Sequence, residues 1–86
     1  MPVRAIAFHA SVAKEEMEKI FKAETNQLFG SISSLECGHC RTKFTVFFPL
    51  KDDVENIKYF RSLEVRVAED CKKGEHAQFV TLCTTP

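Results

Sequence analysis

Cys37-Gly38-His39-Cys40 sets two thiols around one tight turn. Two thiolates held this way make half of a tetrahedral metal site. A second pair lies further on, in Cys71-Lys72-Lys73-Gly74-Glu75-His76, where a thiol and an imidazole flank a glycine. Thiol and imidazole donors at such short separations commonly form the second half of a zinc site. The expected ligands are therefore Cys37, Cys40, Cys71 and His76, and the expected ion is a structural zinc. Gly38 is expected to permit the sharp backbone of the first pair. His9 is a reserve ligand, and His39 is expected to face solvent. Cys71 taken alone could equally be a buried helix cysteine, since free cysteine is among the most buried residue types. Cys83 falls roughly 20 Å from His76 at strand rise and is expected to be a core thiol near the far end.

The run Glu36-Cys37-Gly38-His39-Cys40-Arg41-Thr42-Lys43-Phe44-Thr45-Val46 resembles the first half of a zinc ribbon, in which a Cys-x-x-Cys turn joins two strands. The second Cys-x-x-Cys of that pattern is absent. The tetrapeptide also matches the active-site motif of protein disulfide isomerases, which raises thiol-disulfide redox or metal transfer as the alternative chemistry. Its surroundings differ from theirs. Glu36 precedes Cys37 where an aromatic residue is usual, and Arg41 to Phe48 reads as strand, so no helix N-terminus lowers the thiol pKa.

Strands and helices must bring these residues together. Val3 to Phe8 reads as a first strand. Ser11 is a plausible N-cap for a helix to about Phe29, with Ala13, Met17, Ile20, Phe21 and Leu28 on one apolar face and Gly30 as its stop. Ser31 to Glu36 and Thr42 to Phe48 read as strands flanking the cysteine turn. Asp52 or Asp53 can cap a second helix that carries Val54, Ile57, Phe60, Leu63, Val67 and Cys71 and ends near Lys72-Lys73-Gly74. Residues 62–70 also fit a strand, because Leu63, Val65 and Val67 alternate with Glu64 and Arg66. Ala77 to Cys83 reads as the last strand.

The expected fold is α+β, a β-α-β-β-α-β ferredoxin-like sandwich with both helices on one face and a zinc knuckle in the hairpin between the second and third strands. The alternative is β-α followed by a zinc-ribbon-like pair of hairpins. In the preferred topology the cysteine turn, the end of the first strand and the end of the second helix share one end of the sheet, which brings the four ligands together.

With 86 residues, the chain makes one domain, residues 1–86, whose small core would gain from a metal or a partner subunit. Twelve basic and twelve acidic residues cancel, so the basic excess usual in nucleic-acid binders is missing from the total. The third strand carries Lys43 and Thr45 where an RNA-recognition sheet would place aromatics. No run is long enough to span a bilayer, and Ala5 to Ala13 reads as strand entering helix rather than as a secretory signal. A cytoplasmic location with reduced thiols is expected.

These residues point to a non-enzymatic, zinc-stabilised module that binds a protein or a nucleic acid. Its expected contact surface is the sheet face of Lys43, Thr45 and Phe47, which could equally join two copies as a homodimer.

Overall fold

Ala5-Ile6-Ala7-Phe8 contains no polar residue, and all four are 0% exposed. A strand buried on every side chain needs cover on both faces. This run is the middle of β1 (Val3–His9), an interior strand of a four-stranded antiparallel sheet. The other elements follow as α1 (Lys14–Thr25), β2 (Ser31–Glu36), β3 (Lys43–Phe48), α2 (Asp53–Lys72) and β4 (Phe79–Cys83). The strand order is β2-β3-β1-β4. The structure, a computed structural model, describes residues 2–49 and 51–83.

The sheet separates two cores. On one face Ala5, Ala7, Leu35, Phe44, Val46 and Phe48 pack against Leu63 and Val67 of α2. On the other, Ile6, Phe8 and Phe47 pack against Met17 and Phe21 of α1. The ladder fixes this division: Ile6 opposes Phe47 and Ala7 opposes Val46, and neighbouring residues of a strand point to opposite faces.

The helices therefore do not share a face, and the expected ferredoxin-like sandwich is corrected on this point. The reason lies in β1 and β3, whose apolar runs Ala5–Phe8 and Val46–Phe48 need a helix on each side. β1 reaches β2 past β3, and β3 reaches β4 past β1. With helices on opposite faces these two crossovers have opposite hands, so one of them is left-handed against the strong usual preference.

Local signals decide the helix ends. Asp52 caps α2, its side chain accepting from the N–H groups of Val54 and Glu55. Residues 62–70 are helical: Leu63 and Val67 are buried one turn apart, while Val65 is 58% exposed. α1 is shorter than expected. Its N-cap is Ala13, without a side-chain cap bond, because the Ser11 hydroxyl hydrogen-bonds His9 Nδ1 at 2.7 Å. It stops at Asn26 in the left-handed conformation, φ 57°, and not at Gly30. Leu28 lies beyond that stop and is 78% exposed.

Phe47 is fully buried beneath α1, its ring against those of Phe21 and Phe29. The expected contact surface of Lys43, Thr45 and Phe47 is corrected accordingly: Lys43 stays exposed, but the aromatic belongs to the core. Cys83 is also corrected. It is exposed, opposite Val3 at the end of the β1–β4 ladder.

Candidate metal centre

The turn between β2 and β3 closes by backbone bonding. Cys37 N–H donates to the Thr42 carbonyl at 2.9 Å, and Arg41 N–H donates to the Cys37 carbonyl at 3.1 Å. The left-handed residue of this turn is Arg41, φ 67°. Gly38 does not take that role, contrary to expectation. A Cβ built on Gly38 would meet nothing within 4 Å.

Cys71 comes from the last turn of α2. Beyond it Gly74, at φ 112°, reverses the chain, and its N–H donates to the Cys71 carbonyl at 3.1 Å. An L side chain rarely adopts that conformation, which explains a glycine there. The reversal delivers His76 back to the cysteine turn. Its ring stands edge-on to Phe44, with centroids 5.0 Å apart and an interplanar angle of 81°.

Cys37, Cys40, Cys71 and His76 meet, with their ligand atoms all within 4.8 Å of one another. The closest approach is Cys40 Sγ to His76 Nε2, 3.2 Å. Cys37 is buried, Cys71 and His76 are half-buried, and Cys40 is exposed. This set of three thiols and one imidazole could hold a metal ion.

No family model, curated protein or solved structure matches this chain.

His9 is not among the four. Its ring also stands edge-on to Phe44, centroids 5.6 Å apart, and its Nδ1 is taken by Ser11. His39 is exposed, as expected of a residue within the turn.

Sequence reading missed two supporting residues. Phe44 orients the His76 ring, and only its place on β3 hinted at this. Thr42 lies two residues after Cys40, with its hydroxyl 3.1 Å from Cys40 Sγ. That hydroxyl, then the Thr42 backbone, then His76 stabilise the Cys40 thiolate and lower its pKa to about 6. Cys71 moves the other way, to about 11, through desolvation first and then through the neighbouring sulfurs of Cys40 and Cys37. Two thiols of one cluster thus favour different protonation states at neutral pH in the metal-free protein.

Proposed function

We propose that the chain is a small module stabilised by one structural zinc bound by Cys37, Cys40, Cys71 and His76, and that it serves as a binding partner rather than as a catalyst. The observation that carries this is the convergence of four soft donors from two distant segments, within 4.8 Å. A tetrahedral zinc with Zn–S bonds of about 2.3 Å sets its sulfurs roughly 3.8 Å apart. The four atoms need to move by about 1 Å or less to meet that geometry. Three cysteines and one histidine form a usual donor set for a closed zinc site, which leaves no open position for substrate.

The ion would tie the β2–β3 turn to the end of α2, adding metal-binding free energy to a small core. The partner in this reading is a protein or a nucleic acid, and a cytoplasmic setting would keep the thiols reduced. No helix among the described residues is long and apolar enough to cross a membrane.

The test is native mass spectrometry of untagged protein, with thermal melting before and after a chelator. One zinc per chain and a large fall in melting temperature on chelation are expected. A metal-free, folded protein whose melting ignores the chelator would remove this reading.

A second reading, thiol-disulfide redox or metal transfer through Cys37 and Cys40, is favoured by one observation: Cys40 is exposed while Cys37 is buried. Rapid exchange of the bound zinc with free metal, or reversible Cys37–Cys40 oxidation, would support it over the first.

A further inference from the structure

The two edges of the sheet differ. At the β4 edge the Thr81 carbonyl accepts from the Arg66 guanidinium of α2. That carbonyl points away from β1, because His9 N–H bonds to the Gln78 carbonyl and bonded residues alternate along an antiparallel strand. The β4 edge is thus partly covered by a charged side chain.

The β2 edge has no such device. Ser31-Ile32-Ser33-Ser34-Leu35-Glu36 holds no proline and no basic residue, and its ladder with β3 runs without a bulge. No other strand among the described residues pairs with it. Natural edges are usually blunted by lysine, proline or bulges, because an open edge recruits another strand. The Cys37–Thr42 bond assigns the odd residues of β2 to β3, so the backbone groups of Ile32, Ser34 and Glu36 point outward.

Beside this edge, β2 and α2 wall an open groove of about 600 Å³. Ser31, Ser33 and Ile57 line it, and Ile57 remains 55% exposed; the Ile32 side chain, opposite Phe47 in the ladder, lies on the α1 face. Arg61 and Glu64 stand on its helix side. Both are exposed, and neither forms an ion pair among the described residues.

We infer that the β2 edge pairs antiparallel with the β2 edge of a second copy of this chain, about a two-fold axis at Ser34, with Arg61 of each copy facing Glu64 of the other. The charges select a second copy, and the geometry sets the axis. α2 and β2 run the same way, tied at one end by Asn56 Nδ2 donating to Ser31 Oγ and meeting at the other where Cys71 nears Cys37. The midpoint of Arg61 and Glu64 lies about 10 Å past Asn56 at helix rise. Ser34 lies about 10 Å past Ser31 at strand rise. A two-fold axis at Ser34 therefore passes midway between the two charges and sets each against its opposite. A two-fold interface must be self-complementary in this way. Residues directly opposite in an antiparallel ladder share a face, so the axis must fall on one residue, and Ser34 has its backbone groups free of β3. This inference is independent of the ion.

The test is sedimentation equilibrium over a range of concentrations, with metal content measured on the same samples. The wild-type mass is expected to double as concentration rises. Arg61→Glu should weaken the association at least tenfold, and Arg61→Glu with Glu64→Arg should restore it. Ser34→Pro should abolish it by removing an outward N–H. If that variant does not fold, the exposed charge pair still decides the matter. A monomer at every concentration would overturn the inference and leave the edge to a strand of another protein. A dimer indifferent to Arg61→Glu, or not restored by the double exchange, would overturn it as well.

Discussion

His76 Nε2 lies 3.2 Å from Cys40 Sγ, although 36 positions separate the two residues in the chain. Two turns make this contact: the left-handed Arg41 closes the cysteine turn, and the left-handed Gly74 sends the chain back from α2. Each turn and each donor can be probed separately.

The four donors differ in burial, so their loss should differ in kind. Cys40→Ser is expected to lower zinc affinity by at least 100-fold, more than a supporting residue would cost, and to cost the metal-free protein less stability than Cys37→Ser, because Cys40 is exposed. Cys37→Ser should lower both, since Cys37 is 1% exposed and belongs to the core facing α2. Thr42→Val, which removes the hydroxyl beside Cys40, should cost about 10–100-fold in affinity. Competition with a chromophoric chelator and urea unfolding of the metal-free protein measure the two quantities.

Metal ligands must lose their protons, so zinc affinity should fall as pH falls. The Cys71 thiol, raised to about 11, keeps its proton at neutral pH and must release it on loading. Cys40, lowered to about 6, is already a thiolate there and begins to compete only as pH falls towards that value. At neutral pH, calorimetry in buffers of different ionisation enthalpy should show about one proton fewer released by Cys71→Ala. Cys40→Ala should change the count little, and zinc loss should steepen below the Cys40 value.

The assignment of the left-handed position to Arg41 gives a test of the turn. A left-handed non-glycine residue costs roughly 1–2 kcal/mol, and glycine there returns about 0.5–1 kcal/mol of that as unfolded-state entropy. Arg41→Gly should therefore stabilise the protein by about 0.5 kcal/mol, the lost Glu36 pair being exposed and worth little. Gly38→Ala should be neutral or stabilising by up to about 1 kcal/mol, because nothing lies near the new Cβ. Gly74→Ala should be destabilising by about 1 kcal/mol or more, since its φ is 112°. Chemical denaturation of all three in the presence of zinc checks the order.

Leu63 and Val65 would share a side in a strand but occupy different sides of α2. Leu63→Ala should cost about 2–5 kcal/mol, as its side chain is 0% exposed. Val65→Ala should change stability by no more than about 0.5 kcal/mol, its side chain being 58% exposed. Equal costs at both positions would contradict the helix.

The metal-type donors were legible because their chemistry is local: a Cys-x-x-Cys turn and a Cys–His pair around a glycine show in the residue types alone. The Leu63-Val65-Val67 alternation was ambiguous because β-branched residues suit strands, and only packing showed that Val65 faces outward. The end of α1 was misplaced because the apolar stripe continued to Leu28 while the helix stopped at Asn26. The separate helix faces were written in Ala5-Ile6-Ala7-Phe8, whose unbroken apolar character marks a doubly covered strand. Phe47 read as an open-face aromatic for the same reason: α1 was expected on the other side.

Helices on opposite faces also set an order of disassembly. The cluster of cysteines and His76 joins the β2–β3 turn, α2 and the segment before β4, while α1 contributes none of its members. α1 is held mainly by Met17, Phe21 and Ile20 against the far side of the sheet. An ion bound by this cluster would brace one layer of the protein and leave the other to its own packing. Amide hydrogens of α1 should exchange through sub-global openings that metal loading barely slows, while those of α2 gain protection. The domain then behaves as two layers of unequal permanence, with the sheet as the boundary between them.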